Sequence, residues 1–267
     1  MKRYVVQLMG MPISLALRGA HTDDGPAAAA WAEVITELRW ADVVFSTYRA
    51  DSYVSRLSRG EIALTDCPPE VAEVLALGRR AEAESGGAFS VWLPGPDGRR
   101  LDSTGVVKGW ATQRAARALE RLPGTDFCLS AGGDMVCRSR IGERPWQIGI
   151  EDPADPSRIL AMIPVGNGAV ATSGTARRGA HLLDARTGRQ PSGVSAVTVV
   201  APELTWADID ATAAFALGAG AADWLATRPG RLSLVVWADG TTSTVAGTAT
   251  ADIQARGSSR PSESMSC

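Results

Sequence analysis

The stretch WADIDATAAFALGAG, residues 206–220, constrains the fold more than any other part of the chain. Most of its residues are small and apolar, which is typical of a helix that is buried on several sides. Its first turns nevertheless carry Asp208, Asp210 and Thr212. Asp208 and Thr212 are four residues apart and share one face of the predicted helix, whereas Asp210 points elsewhere and is predicted to be a solvent-facing residue or a cap. The sequence therefore predicts a buried helix, residues 207–225, with a carboxylate and a hydroxyl aligned near its beginning.

This pair of side chains has two interpretations. An aspartate near a helix N-terminus complements the helix dipole and caps free amides, and a threonine can bond to the carbonyl four residues earlier. In the second interpretation the two oxygens belong to a cation site, because a carboxylate and a hydroxyl are hard ligands of the kind that suits Mg²⁺. The residues alone leave both interpretations open.

Hydrophobic periodicity predicts an α+β fold, because helical patterns occur mainly in the first half and strand patterns in the second. Further helices are predicted over residues 27–46, 68–87 and 108–122. Strands are predicted over residues 4–17, 128–140 (two strands around a Gly turn), 145–153, 158–174, 195–202 and 231–248 (a hairpin with a DG turn). We expect one domain over residues 1–250 and a polar, disordered tail over residues 251–267.

Composition excludes several classes of function. The 267 residues have a formal net charge of -2 and a pI of about 5.8, so no basic excess favours a nucleic-acid or membrane-surface partner. No apolar run approaches the roughly 18 residues of a transmembrane segment. The four cysteines form no CxxC pair and lie at no metal-ligand spacing from a histidine, which predicts reduced structural thiols.

Three further segments are candidates for a functional site. In LDSTGVVKGWA, residues 101–111, glycines surround Lys108, which is predicted to precede a helix and to be a phosphate partner. In residues 169–188, Thr172, Ser173 and Gly174 offer hydroxyls and flexible backbone, and His181 suits proton transfer near neutral pH. An ordinary turn and a structural histidine are the alternatives. SAGGDMV, residues 130–136, is interpreted as a turn between strands.

Taken in order, these segments resemble the ApbE family, the FAD:protein FMN transferases. The resemblance runs from about residue 9 to residue 218 through MGMP, FSTYRADSYVSRLSRGE, GGAFS, DSTGVVKGWA, AGGDM, VATSG with GAHLLDARTG, and AVTVVAP with ADIDATAAFALG. It implies a single ApbE-like, T-fold-related domain with mixed or antiparallel sheets and packed helices. It also implies Mg²⁺-dependent transfer of FMN from FAD to a Thr or Ser hydroxyl of an acceptor protein, through a phosphoester bond and with release of AMP.

The resemblance also implies roles for individual residues. His181 matches the histidine implicated in catalysis. The implied metal site consists of Asp208, Thr212, Ala211 beside them and the backbone carbonyl of Gly105. The implied FAD-binding residues are Met9, Tyr48, Ala88, Phe89, Ser90, Asp102 and Lys108, with Thr172, Ser173, Gly174 and Ser195 as further candidates.

Two departures from the family pattern affect these expectations. Members commonly have Asp where this chain has Ser90, and many carry a lipid-bearing cysteine that is absent near Met1. The second departure predicts a cytoplasmic protein, with export by other means as the alternative. The alternative functions are an Mg²⁺-dependent FAD pyrophosphatase giving FMN and AMP, and a flavin-binding protein without catalysis. The expected partners are FAD and an acceptor protein with a Thr-containing flavinylation motif.

Overall fold

The computed structural model describes residues 1–95, 98–175 and 182–247. Its strands, in chain order, are β1 (Lys2–Leu8), β2 (Met11–Gly19), β3 (Trp92–Gly95), β4 (Gly98–Leu101), β5 (Thr125–Ala131), β6 (Asp134–Arg138), β7 (Trp146–Glu151), β8 (Ile159–Val165), β9 (Gly168–Gly174), β10 (Val194–Ala201), β11 (Leu232–Trp237) and β12 (Thr242–Ala246). Eight of them form one antiparallel sheet in the order β1-β2-β5-β6-β9-β10-β11-β12. β3–β4 and β7–β8 are separate two-stranded hairpins.

The helices are α1 (Gly25–Phe45), α2 (Tyr53–Ser58), α3 (Pro69–Glu84), α4 (Thr104–Glu120), α5 (Leu204–Leu217) and α6 (Ala221–Ala226). Local sequence explains where they begin: Asp24 caps α1 by accepting a hydrogen bond from the Ala27 amide, and Pro69 opens α3, where its missing N–H costs nothing. None of the helices in the described part of the chain is long and apolar enough to cross a membrane.

The large sheet has two different faces. On one face, α1, α3, α4 and α5 bury a core that includes Leu38, Trp110, Leu129, Ala171 and Phe215. On the other, the β7–β8 hairpin covers a smaller cluster with Trp146, Ile148, Ile150, Cys137 and Val170. Ala171 and Val170 belong to different clusters because successive strand residues point to opposite faces. We call these the helix face and the hairpin face.

The predicted α+β class is confirmed, and four element boundaries were wrong. The strand predicted over residues 158–174 is two strands, β8 and β9, in different sheets. Residues 4–17 form two strands, because Met9 (φ +52°) and Gly10 (φ +68°) make a tight turn that carries no NG or DG signal. α4 begins at Thr104, so Lys108 lies inside the helix and not before it. The predicted helix 207–225 is interrupted at Gly218, whose φ of +59° ends α5 before α6 begins.

Two other sequence predictions concern the tail and the thiols. The predicted tail, residues 251–267, lies outside the described residues. Cys67, Cys128 and Cys137 are free thiols, as expected.

Candidate active site

Three charged side chains from distant parts of the chain meet on the helix face. Lys108 Nζ of α4 lies 2.5 Å from Asp134 Oδ2 of β6 and 3.1 Å from Asp208 Oδ1 of α5. Both carboxylates are almost fully buried, with side chains 2% and 1% exposed. The second oxygen of Asp208 accepts the Gly109 amide at 2.9 Å, and that of Asp134 accepts the Thr172 amide at 3.0 Å. One ammonium thus compensates two buried acids at the junction of α4, α5 and the sheet.

Burial sets the electrostatics of this cluster. It raises the pKa of Asp208 to about 7, against the opposing effect of the nearby Lys108 ammonium, and the Asp134 charge raises it further. Burial alone would lower the pKa of Lys108, but the charges of Asp134 and Asp208 raise it well above its ordinary value. Lys108 is therefore a permanently charged group, and Asp208 is a carboxyl that gains or loses its proton near neutral pH.

The predicted metal ligands converge one turn further along α5. Thr212 Oγ1 lies within hydrogen-bonding distance of Ser173 Oγ of β9, at 3.0 Å. A side chain at Gly105 would approach Phe89 to 2.9 Å and Thr212 to 3.5 Å, so only glycine lets α4 come this close. Ala211 is fully buried on the same helix. Gly105, Asp208 and Thr212 are thus neighbours in space although about 100 residues separate the first from the others.

The Gly109 amide links α4 directly to Asp208 of α5. In a helix it would donate to the carbonyl four residues earlier, which is that of Gly105. Here the Gly109 amide donates to Asp208 Oδ2, so any hydrogen bond that it makes to the Gly105 carbonyl is shared. A side chain at Gly109 would lie 2.7 Å from both Asp208 Cβ and the Leu204 carbonyl oxygen. The glycine therefore fixes the close contact between α4 and α5.

The end of the sheet supplies the remaining polar candidates. Thr172 Oγ1 and Thr198 Oγ1 lie 2.9 Å apart on the hairpin face, whereas Ser173 points to the helix face. Gly174 ends β9, and its missing side chain leaves room for the Ser195 carbonyl oxygen. Ser195 itself lies at a register shift in β10, between Val194 and Ala196. The structure thus brings all four predicted residues to one end of the sheet.

Residues 88–90 and 102 flank α4 on the helix side. Ala88 and Phe89 are buried, and Phe89 lies against Gly105. Asp102 Oδ1 accepts the amide and hydroxyl of Thr104 at the start of α4. The N-cap residue, Ser103, has a buried hydroxyl that makes no hydrogen bond with any described residue. The beginning of α4 therefore keeps an unused donor next to the predicted FAD-binding segment.

Comparison with known proteins agrees with this picture. A model of the ApbE family matches residues 9–94 and 93–236, which is most of the chain. The chain belongs to the ApbE family. The FAD:protein FMN transferase of Haemophilus influenzae is 25% identical over 280 residues, which cover 80% of this chain and 81% of that protein. The protein of the same name from Rhodobacter capsulatus is 32% identical over 133 residues, but these cover only 47% of this chain and 25% of the relative.

Solved ApbE structures share the fold. The flavinyl transferase ApbE of Pseudomonas stutzeri, in its apo form, superimposes with a TM-score of 0.77 at 23% identity, covering 91% of this chain and 94% of that one. The flavin transferase ApbE of Vibrio cholerae gives a TM-score of 0.76 at 20% identity, covering 92% and 97%. The predicted ApbE-like fold is therefore confirmed over nearly the whole length of both proteins.

Of three further residues implied by the ApbE resemblance, Met9 and Tyr48 lie in turns and His181 lies outside the described residues. Met9 forms the β1–β2 turn and packs against the main core, and Tyr48 is 95% exposed in the segment after α1. His181 and the rest of 176–181 lie outside the described residues. The roles of these three residues stay predictions.

Sequence reasoning about this ApbE chain was wrong on Asp210 and missed Asp134. Asp210 is fully buried, where it accepts hydrogen bonds from Arg228 and Arg231. It is neither solvent-facing nor a cap, because α5 is enclosed on nearly every side. The local pattern around Asp134 predicts only a turn, and the AGGDM segment of the resemblance is the one signal that marks this residue.

Proposed function

We propose that this protein transfers FMN from FAD to a Thr or Ser hydroxyl of an acceptor protein in a reaction that needs Mg²⁺ and releases AMP. The observation that carries the proposal is the meeting of Gly105, Lys108, Asp208 and Thr212 at one point of the helix face, although they come from two distant segments. The relatives' name, FAD:protein FMN transferase, supports the transfer of FMN from FAD to a protein. In it the hydroxyl oxygen bonds to the FMN phosphorus, the bond from phosphorus to the AMP oxygen breaks, and AMP leaves with that electron pair.

The residues present fit a magnesium ion. Asp208 and Thr212 offer a carboxylate and a hydroxyl, and the Gly109 amide, which a regular helix directs to the Gly105 carbonyl, donates to Asp208. Within the residues that the structure describes, no three His, Cys, Asp or Glu side chains converge as a metal site. A site with a single carboxylate, that of Asp208, suits Mg²⁺, which is commonly held by one or two carboxylates together with substrate phosphates. When bound, the ion supplies Lewis-acid neutralisation of charge on the pyrophosphate.

The chain's own residues perform the other tasks. The Lys108 ammonium, held in place by Asp134, stabilises negative charge on the phosphate oxygens as the bond to AMP breaks. The start of α4 favours the pyrophosphate, because helix N-termini present free amides to anions, and the Ser103 hydroxyl adds a donor. His181 is proposed to take the proton of the attacking hydroxyl, a role that typically contributes about 10²–10⁴-fold.

The test uses the full chain with FAD, MgCl₂ and a library of nine-residue peptides that have a central threonine and randomised flanks. We expect one peptide family to gain the mass of one FMN group while AMP appears in equal amount, and EDTA to abolish both. Free FMN and AMP without labelled peptide would identify a pyrophosphatase instead. FAD that is bound but never cleaved would leave a flavin-binding protein.

Variants test the assignment of the site. Asp208→Asn removes a predicted metal ligand and should lower transfer by at least about 10²-fold, since a lost metal ligand removes charge stabilisation worth several kcal/mol. The matched control is Asp223→Asn, an exposed acid of α6, which should retain the wild-type rate. Equal rates in the two variants would contradict the proposed metal site.

A further inference from the structure

Two of the four cysteines face each other on neighbouring strands of the large sheet. Cys128 of β5 and Cys137 of β6 are direct partners in the antiparallel register, and both side chains belong to the cluster on the hairpin face. Their sulfur atoms lie 3.6 Å apart. The proposed transfer reaction uses neither of them. We call these two residues the thiol pair.

The turn that joins β5 to β6 determines how closely the two backbones approach at the thiol pair. Gly132 and Gly133 have φ of +60° and +103°, which is typical of a two-residue turn. Such a turn is closed by a hydrogen-bonded pair, here Ala131 and Asp134. Because hydrogen-bonded and non-hydrogen-bonded pairs alternate along the ladder, the thiol pair, three pairs further on, is a non-hydrogen-bonded pair. The Cα atoms of such pairs lie about 4.5 Å apart, a separation that a disulfide can span.

The sulfur atoms need only a short movement to bond. An S–S bond is about 2.05 Å long, so the two atoms must approach by roughly 1.5 Å. Both side chains already project from the same face of the sheet, which means that small rotations about their Cα–Cβ bonds bring the sulfur atoms together. The pairing of β5 with β6 can stay as it is.

The two thiols differ in their access to solvent. Cys137 is fully buried, whereas Cys128 is half-buried, next to the small Ala16 of β2 and one strand further from Arg3 of β1. The hydrogen bond that the Cys137 thiol donates to Cys128 lowers the pKa of Cys128 against the effect of burial, and the Arg3 charge acts in the same direction. Cys128 is therefore the thiol that an oxidant in solution meets first, and the better nucleophile of the two.

Metal binding and simple packing are the other roles open to two neighbouring thiols. A structural zinc site usually has four ligands, and among the residues that the structure describes no group of three His, Cys, Asp or Glu side chains could hold a metal ion. Thiols that serve only packing are inert when oxidants cannot reach them, and the half-buried Cys128 lacks this protection.

We propose that the thiol pair is a redox-active dithiol that closes reversibly to a disulfide between Cys128 and Cys137. The oxidant is a low-molecular-weight disulfide such as oxidised glutathione. The Cys128 thiolate attacks one sulfur of the oxidant, whose S–S bond breaks, and the first glutathione leaves. Cys137 then loses its proton and attacks Cys128 Sγ, which displaces the second glutathione. Two electrons pass from the protein to the oxidant, and the two departing thiolates take up the protons that the cysteines lose.

The test equilibrates the full chain in mixtures of oxidised and reduced glutathione, followed by acid quenching, alkylation and digestion with trypsin. No Lys or Arg lies between Arg121 and Arg138, so both cysteines fall in one peptide, residues 122–138. As the mixture becomes more oxidising, we expect this peptide to escape alkylation and to lose the mass of two hydrogen atoms. Dithiothreitol should reverse both changes. A peptide that stays fully alkylated in every mixture would overturn the proposal.

The same titration in urea tests whether the folded geometry is responsible. Because the fold holds the two sulfur atoms side by side, the native protein should be half-oxidised at a lower ratio of oxidised glutathione to the square of reduced glutathione. We expect this ratio to be at least about tenfold lower than for the urea-unfolded chain. Equal ratios, or a disulfide that forms only in urea, would overturn the proposal.

Single substitutions test the order of the two steps. Cys137→Ser should leave Cys128 as a lasting mixed disulfide with glutathione, because the thiol that resolves it is missing. Cys128→Ser should leave Cys137 unmodified in the folded protein, because this thiol is fully buried. Cys67→Ser, which removes a free thiol outside the pair, is the control and should keep the wild-type ratio. Glutathione on Cys137 and none on Cys128 would contradict the proposed order.

Discussion

Asp208 is an acid that the protein must compensate before any substrate arrives. Its side chain is 1% exposed, and an isolated charge at such a position is strongly disfavoured. Lys108 and the Gly109 amide provide the compensation, and they come from the same turn of α4. The charge of this proposed metal ligand is thus balanced by two groups of one helical turn.

The raised pKa of Asp208 predicts that metal binding depends on pH. Mg²⁺ binds the carboxylate and not the protonated acid, and burial raises the pKa to about 7. Because protonation occurs as the pH falls through this pKa, we expect Mg²⁺ affinity to be constant above about pH 8 and to fall by about tenfold per pH unit below 7. Calorimetric titration with FAD present, from pH 5.5 to 8.5, measures this.

The same titration has two reference variants. Asp223→Asn should reproduce the wild-type pH profile, because this acid is exposed and far along the chain in α6. Asp208→Asn should bind weakly at every pH, with no slope near 7. An affinity that does not change between pH 5.5 and 8.5 in the wild type would refute the role given to Asp208.

Ser90 differs from the usual family residue, and its surroundings explain how this chain tolerates the change. Its hydroxyl donates to Glu82 Oε2 at 2.9 Å and accepts from the Trp92 amide and from Arg99. Glu82 of α3 therefore already supplies a carboxylate at this place. The serine connects α3 to the β3–β4 hairpin.

This contact predicts that Ser90→Asp is harmful only while Glu82 is charged. Two carboxylates within hydrogen-bonding distance repel each other, so we expect a loss of about 1–3 kcal/mol in the free energy of unfolding and weaker FAD binding. Glu82→Gln in the same chain should restore most of both, and Glu82→Gln alone should change little. Urea denaturation and FAD titration of the four proteins form a double-mutant cycle. Equal effects of Ser90→Asp in the wild-type and Glu82→Gln backgrounds would contradict the proposed repulsion between the two carboxylates.

At the scale of elements, the site depends on how closely α4 approaches α5. Gly105 and Gly109 lie one turn apart on α4 and face Phe89 and Asp208 respectively. The small residues that the sequence shows in α5 serve the same approach, because Ala207 and Ala211 are fully buried. The contact between the two helices, more than any single side chain, places Lys108 next to Asp208.

We therefore expect Gly109→Ala to act on stability and on the site together. The new methyl group would lie 2.7 Å from Asp208 Cβ and from a backbone oxygen, so α4 and α5 must separate. The expected cost is about 1–3 kcal/mol in unfolding free energy, with weaker Mg²⁺ binding. Gly25→Ala, at the first turn of α1 where nothing lies within 4 Å, is the control and should be neutral or stabilising by up to about 1 kcal/mol. If Gly109→Ala bound Mg²⁺ as tightly as the wild type, the close contact between α4 and α5 would not be needed for metal binding.

Particular elements show how far the sequence predicts this structure. The Asp208–Thr212 pair could be predicted, since both lie on one helical face and the resemblance gave them a role. The start of α4 and the β1–β2 turn could not, because Gly105 favours a loop in local propensity and Met9 rarely adopts positive φ. The ion pair of Lys108 with Asp134 could not be predicted either, because it depends on the order of the strands in the sheet, which local sequence patterns do not give.

At the scale of the whole molecule, the large sheet separates two kinds of surface. Helices cover one face, where Lys108 and Asp208 meet, and the β7–β8 hairpin covers the other. Asp134 and Thr172 join the two faces at the end of the sheet.

We expect the two buried acids of α5 to divide two tasks between them, Asp208 serving metal binding and Asp210 serving stability. Asp210 holds Arg228 and Arg231 at 2.9 and 2.7 Å, and Arg228 also meets Glu84 of α3 at 2.7 Å. This network fixes the segment after α6 to α5 and α3. Asp208, two residues away, faces Lys108, which would still have Asp134 as a partner if Asp208 were neutral.

Amide substitution of the two acids should therefore give opposite results. Asp210→Asn leaves two arginines short of their buried partner and should cost about 3 kcal/mol in unfolding free energy, with the Mg²⁺ affinity of the folded protein unchanged. Asp208→Asn should lower Mg²⁺ affinity while changing stability far less. Urea denaturation and calorimetric titration of both variants decide the matter. If Asp210→Asn weakened metal binding as much as Asp208→Asn, the division of tasks would be wrong, and the two acids would belong to one site.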